Sequence, residues 1–383
     1  MIGIGLMSGT SLDGIDAALV HIEPLGTSYR LELMEFITQP FDAELAVEIR
    51  DALPPQAGTV ASVARLHRSL GVAFARAARR VAGAMRVDYV ASHGLTLFHD
   101  GAAHTTLQVG DPFAIRESLS ASVCYDFRSA DCALGGHGAP LVPYVDALLL
   151  GSPGEDRVAL NIGGIANVTA LGRQAHPHDV LGYDTGPGNM LIDAFVRERS
   201  NGALAFDDGG ALARAGTPDA ALLAHLLQDP YFARPAPKSA GREQFGAHVL
   251  LRHEAELACL SLEDGAATFT ALTVESIARA IEGLQLDAPR ILVSGGGAHN
   301  RAILERIAER LPTMRVEPTA FVGIDVDAKE AVAFALLGYE TLRGRAANVP
   351  RITGASRAIP LGSIAPFELP ELLARVELEC RSL

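Results

Sequence analysis

Short apolar runs that end in glycine-marked polar turns recur along this chain, and stretches with apolar positions at helical spacing lie between them. The first run is Ile2-Gly3-Ile4-Gly5-Leu6. It returns through Ile15-Asp16-Ala17-Ala18-Leu19-Val20-His21-Ile22, as two buried strands joined by a turn would. A third strand is predicted over 30–38 and a helix over 60–85. A buried strand over 87–92 then runs into the polar loop His93-Gly94. The pattern continues with a helix over 111–119 begun by Asp-Pro, a strand over 121–124 and a helix over 127–134 halted by Gly135-Gly136.

Glycine and proline cluster at 135–140, the best candidate for a change of domain. Beyond it, 157–169 repeats the opening pattern of strand, glycine turn and strand. A strand over 180–183 leads into Asp184-Thr185-Gly186-Pro187-Gly188-Asn189, read as a turn, and a helix over 190–198. A helix over 266–284, a strand over 290–294, a helix over 301–310 and an alanine-rich helix from 327 to about 337 complete the alternation. Strands alternating with helices predict an α/β protein, and one hairpin per half suggests two similar domains. The expected domains are 1–135, with the C-terminal tail free to pack back on it, and 136–383.

Composition narrows the function. The 383 residues carry 32 basic and 45 acidic side chains, a net charge of -13, which argues against nucleic-acid binding through a broad basic face. Cys124, Cys132, Cys259 and Cys380 form no zinc spacing and are too few for a disulfide framework, so a reducing cytoplasm fits best. No apolar run approaches the roughly 20 residues that cross a bilayer, so no membrane association is expected.

Neither GxxxxGK[ST], nor a convincing GxGxxG after a strand, nor GxSxG occurs, which removes the usual support for phosphate-loop, dinucleotide and hydrolase readings. What remains is glycine turns at 9–14, 163–164, 186–188 and 295–297, each at the end of an expected strand, where α/β folds collect ligands. Each alone could be only a turn, since glycine serves wherever φ is positive. The first turn also carries hydroxyls and a carboxylate, a set suited to phosphate oxygens and a metal ion.

Met7-Ser8-Gly9-Thr10-Ser11-Leu12-Asp13-Gly14, Leu160-Asn161-Ile162-Gly163-Gly164-Ile165-Ala166-Asn167, Asp184-Thr185-Gly186-Pro187-Gly188-Asn189 and Ser294-Gly295-Gly296-Gly297-Ala298-His299-Asn300 occur in that order. Together they resemble the anhydro-N-acetylmuramic acid kinase family, from residue 2 to about 340. The resemblance implies two similar α/β domains of the actin-like ATPase, ribonuclease H-like type, closing over ATP in an interdomain cleft. It implies that Gly9, Thr10, Ser11, Leu12, Asp13, Gly14, Ile15 and Asp16 form a first phosphate loop and Gly163 and Gly164 a second. Gly295, Gly296, Gly297 and Asn300 would then lie against the adenosine. Asp184 would be the general base. His93, Thr96, His99, Arg128, Asp131, Gly188, Asn189 and Glu330 would bind an amino sugar. Sugar kinases usually place a Mg²⁺-organising aspartate in the first strand, but here that position is near Met7. Asp13, or a carboxylate elsewhere such as Glu330, would therefore take on metal work.

The implied reaction is ATP-dependent opening of 1,6-anhydro-N-acetylmuramic acid with phosphorylation of O6, a step of peptidoglycan recycling, carried out by a cytoplasmic homodimer. A kinase of an ordinary sugar is the nearest alternative. A slow actin- or Hsp70-like ATPase switch is the alternative of another class.

Overall fold

The computed structural model describes residues 1–9, 14–26, 28–53, 58–173, 175–236 and 238–381, and Thr10 to Asp13 of the first turn lie outside them. The chain forms two compact units: Met1–Leu149 with His176–Asp179 and Ala328–Leu383, and Leu150–Ala175 with Val180–Asp327.

In the first unit, β1 (Ile2–Ser8), β2 (Gly14–Leu25) and β3 (Ser28–Pro40) form an antiparallel meander. On its other side β1 pairs in parallel with β4 (Tyr89–Asp100), which also pairs with the short antiparallel β5 (Thr105–Val109). The next parallel strand is β6 (Ser122–Tyr125), and Ser363–Ala365 closes that edge. One face of the sheet is covered by the helix Val60–Ala82, which the Thr59 hydroxyl caps and Gly83 ends. The helix Lys329–Leu342 also packs on these strands, so closely that a Cβ on Gly5 would lie 1.8 Å from the Ala331 carbonyl oxygen.

The second unit repeats the plan. Here β7 (Arg157–Ile162), β8 (Ile165–Leu171) and β9 (Leu181–Pro187) form the antiparallel meander. Then β10 (Arg290–Ser294) and β11 (Arg315–Pro318) follow β7 in parallel. The strand orders β3-β2-β1-β4-β6 and β9-β8-β7-β10-β11 are therefore the same order with the same directions. This bears out the expectation of an α/β protein with two similar units. The helices Met190–Arg199, Leu262–Glu282 and Arg301–Arg310 contribute Phe195, Phe269, Ile277 and Ile303 to the core of this unit.

Two local expectations are corrected. The helix predicted over 127–134 spans only Ser129–Ala133. The strand expected over 180–183 does not stop at residue 183: β8 supplies pairing partners as far as Ile165↔Pro187, so Asp184 to Pro187 lie within β9. No helix among the described residues is long and apolar enough to cross a membrane.

Candidate active site

In the second unit three of the glycine motifs meet. The turn Gly163-Gly164 between β7 and β8 is held by the chain entering the helix Met190–Arg199. Asn189 N–H donates to the Gly163 carbonyl at 2.8 Å, while Gly188 and Met190 N–H donate to the Gly164 carbonyl at 2.8 and 3.1 Å. Only glycine fits at 188, since a Cβ there would come within 2.3 Å of the Gly163 carbonyl oxygen. The Thr273 hydroxyl fixes Gly188 from behind, donating to its carbonyl at 2.8 Å. The backbone of Gly188 and Asn189, both expected as sugar contacts, also braces the second turn.

The loop after β10 packs against the same turn. The Ser294 hydroxyl donates to Asn161 Oδ1 at 3.2 Å, and a Cβ on Gly297 would lie 2.2 Å from Ile162 Cγ2. Gly296 is exposed, its nearest neighbour being Asn189 Nδ2 at 3.8 Å from a built Cβ. Asn300 is buried and caps the following helix, its Oδ1 accepting from Ile303 N–H at 3.2 Å.

Asp184 stands opposite Asn167 in β9, at a bulge close to the turn. Its backbone is anchored twice: its N–H donates to the Lys238 carbonyl at 3.1 Å, and its carbonyl accepts from the Tyr231 hydroxyl at 2.6 Å. Its Oδ2 accepts from Ala240 N–H at 2.9 Å. Burial pushes the carboxyl up to about 6, Ala240 N–H works the other way, and the Glu243 charge adds to the rise. A partly exposed carboxylate with that affinity for protons is suited to general-base work near neutrality. The segment 231–240 that holds Asp184 carries no motif. Its one sequence signal is the helix start Asp229-Pro230, which says nothing of where the loop returns.

In the first unit the described ends of the opening turn are joined by the Ser8 hydroxyl, which donates to the Gly14 carbonyl at 2.8 Å. Of the predicted phosphate-loop residues, Thr10, Ser11, Leu12 and Asp13 lie outside the described residues. Ile15 points into the core, and half-buried Asp16 accepts from the Thr38 hydroxyl at 2.6 Å.

His93 and Arg128 form a unit. His93 Nδ1 lies 2.9 Å from the Gly94 carbonyl and so carries the proton, which leaves Nε2 to accept from Arg128 Nε at 3.0 Å. Burial and then the Arg128 charge hold His93 well below its ordinary range, so it is neutral. Arg128 Nη1 donates to the Gly138 carbonyl at 2.7 Å. Its Nη2 makes no hydrogen bond among the described residues. Burial lowers Arg128 to about 10, and the Glu330 charge opposes that. Glu330 is raised by burial, lowered by Lys329 and raised by Asp16, so these charged groups share one neighbourhood. Behind them lies a buried ion pair that the sequence did not announce, Lys329 Nζ to Asp146 Oδ1 at 2.8 Å.

Asp131 is fully buried and its oxygens are occupied. Oδ2 accepts from Gly138 N–H at 2.8 Å, and Oδ1 accepts from Asn348 Nδ2 and the Thr353 hydroxyl, each at 2.7 Å. It braces the loop that Arg128 leans on. Thr96 Oγ1 accepts from Gln108 Nε2 at 3.2 Å, and exposed His99 lies 3.1 Å from the Thr106 hydroxyl through Nδ1.

A strand order used twice, with a glycine turn in the first hairpin of each copy, defines the class: actin-like proteins built from two ribonuclease H-like α/β units. Within that class the chain belongs to the anhydro-N-acetylmuramic acid kinase family, whose model matches residues 1–367. Curated proteins called anhydro-N-acetylmuramic acid kinase are similar along nearly their whole length. One from Streptomyces coelicolor is 44% identical over 374 residues, covering 96% of this chain and 94% of its own. One from Caldanaerobacter subterraneus is 39% identical over 380 residues, covering 94% and 96%. Among solved structures, an activator of 2-hydroxyisocaproyl-CoA dehydratase from Clostridium difficile with bound ADPNP matches at TM-score 0.42 and 12% identity, over 88% of this chain and 92% of that one. A ROK family glucokinase from Streptomyces griseus in complex with glucose and AMPPNP matches at 0.38 and 11%, over 88% and 98%. These two likenesses are remote, and the assignment rests on the family match.

Proposed function

We propose that the chain carries out its family's reaction with Asp184 as the general base: ATP-dependent opening of 1,6-anhydro-N-acetylmuramic acid with phosphorylation of O6, yielding N-acetylmuramic acid 6-phosphate. The substrate is an internal glycoside. Its O6 is freed only when the bond from C1 breaks. Asp184 takes a proton from a water molecule as the water oxygen bonds to C1. The bond from C1 to O6 breaks with its electron pair on O6, and O6 bonds to the γ-phosphorus of ATP as the bond to the β–γ bridging oxygen breaks and ADP leaves, where an inverting glycosidase would deliver a proton to O6. The observation that carries this reading is the elevated carboxyl of Asp184, fixed by a strand and three hydrogen bonds beside the second glycine turn.

The other residues take roles suited to their surroundings. The glycine turns at 9–14 and 163–164 take the phosphates of ATP, and exposed Gly296 offers adenosine a face without a side chain. Arg128, oriented by His93 and by the loop that Asp131 braces, offers Nη2 to the acid group of the sugar. Thr96 and His99 contribute polar contacts to the sugar. Oxygen donors suit Mg²⁺, and half-buried Asp16 and Glu330 fit that need; Asp13, expected in that role from the sequence, lies outside the described residues. Mg²⁺ bound there supplies charge stabilisation to the phosphoryl oxygens. A cytoplasmic homodimer completes the proposal.

The test is ATP consumption with the anhydro-sugar beside plain N-acetylmuramic acid, run in water labelled with ¹⁸O. Turnover on the anhydro-sugar alone, with the label at C1 of the product, is expected. A label-free product would leave only a kinase of an ordinary hydroxyl, and ATP turnover without any sugar would point to an ATPase switch.

A further inference from the structure

Away from the residues assigned above, one group of side chains has the make-up of a transition-metal site. In the second unit His225 sits in the last turn of the helix Ala220–Leu226, and His253 is the N-cap residue of the helix Glu254–Leu257. Glu256 lies between them, with Oε1 2.9 Å from His225 Nδ1 and Oε2 2.7 Å from His253 Nδ1. The imidazole centroids are 4.7 Å apart with the rings nearly perpendicular, at 83°. All three donor atoms fall within 4.8 Å of one another, and among the described residues no other group of three His, Cys, Asp or Glu does so.

We propose that His225, His253 and Glu256 form a site for a divalent transition metal, Zn²⁺ foremost, that ties the helix Ala220–Leu226 to the helix Glu254–Leu257. Two imidazoles and one carboxylate are a donor set that Zn²⁺ accepts, with water in the fourth position of the tetrahedron. Bonds of about 2.0–2.1 Å place tetrahedral donors roughly 3.3 Å apart, so the two imidazole–carboxylate separations need to open by only about half an ångström.

The mobility needed is on the right residues. The side chains of His225 and Glu256 are 56% and 41% exposed, while that of His253 is 7% exposed and supplies the fixed point. Each imidazole that now donates from Nδ1 keeps its proton by moving it to Nε2 when Nδ1 takes the metal. The pair His176 and His178 makes a useful contrast. Its ring centroids are 5.4 Å apart, yet His178 Nδ1 is 3.0 Å from the Asn348 carbonyl and no carboxylate completes a set of three.

A metal at this place would steady the chain that runs from His225 to Tyr231, whose hydroxyl holds Asp184. The role is structural.

The experiment uses the full chain stripped of metal by a chelator and kept free of nucleotide. It is titrated with Zn²⁺ against a chromophoric competitor and separately with Co²⁺, alongside His225→Ala and Glu256→Gln. One Zn²⁺ per chain is expected, with Co²⁺ giving visible bands of tetrahedral intensity. Each variant should bind Zn²⁺ at least about 10–100-fold more weakly, since changes even to partners of metal ligands cost that much. Zn²⁺ should raise the unfolding midpoint of the parent chain and not of the variants. Failure of the parent to take up stoichiometric Zn²⁺, or variants that bind like it, would overturn the proposal. His225→Ala removes a mostly exposed side chain, and the parent's Co²⁺ spectrum decides independently of any variant's folding.

Discussion

Asp184→Asn should separate activity from stability. The substitution keeps shape and keeps an oxygen that can accept from Ala240 N–H, now at 2.9 Å, but removes the base. Turnover should fall by about 10²-fold to 10⁴-fold, the usual share of a general base. Stability should move differently. The carboxyl is raised from an ordinary 3.8 to about 6 in the folded chain, so the folded state holds the proton more tightly than the unfolded one. Its contribution is fully present below about pH 4, declines as pH rises towards 6, and is lost above that. A shift of about two units corresponds to roughly 2–3 kcal/mol. Any fixed cost of the asparagine amide is the same at every pH. The stability of Asp184→Asn minus that of the parent should therefore grow by roughly 2–3 kcal/mol between pH 4 and pH 7, which urea unfolding at several pH values would measure. In the parent, kcat/KM should drop about tenfold from pH 7 to pH 5, because a base titrating near 6 is mostly charged at the first and mostly protonated at the second. An asparagine variant that kept its activity, or a stability difference flat with pH, would refute the assignment of a half-buried, proton-hungry base.

Arg128→Lys loses the paired contacts to His93 Nε2 and the Gly138 carbonyl, so the KM for the sugar should rise about tenfold or more while the KM for ATP holds; initial-rate kinetics in both substrates checks this. Gly188→Ala drives a Cβ to 2.3 Å from the Gly163 carbonyl oxygen, and nucleotide affinity measured by calorimetry should fall at least about tenfold as the second turn distorts. Asp131→Ala strips three donors of their shared acceptor and should cost about 3 kcal/mol or more in denaturant unfolding, with the loss of sugar affinity secondary to the loosened 136–138 loop.

Both hairpins were legible in the sequence because strands buried on two faces read as unbroken apolar runs, with glycines marking the turns between them. The duplication was legible as a pattern for the same reason, and the shared strand order gives it physical form. The turn at 163–164 and the loop at 295–297 were found as glycine motifs, although their contact through Ile162 and Asn161 is a matter of packing.

Other features were decided only by the fold. Asp184 reads as a turn residue because Thr-Gly-Pro-Gly follows it, yet pairing with β8 carries the strand through Pro187. Its proton affinity comes from burial, against which the N–H of distant Ala240 works, and no local pattern encodes either. That Asp131 accepts hydrogen bonds from Asn348 and Thr353, at the far end of the chain, is likewise invisible in its local sequence. The sequence alone determined where the two strand hairpins lie and which residue types are at hand, because those follow from neighbours along the chain. Which carboxylate is exposed, which is occupied and which is pushed towards neutrality were settled by tertiary structure, because desolvation and hydrogen bonding depend on neighbours in space.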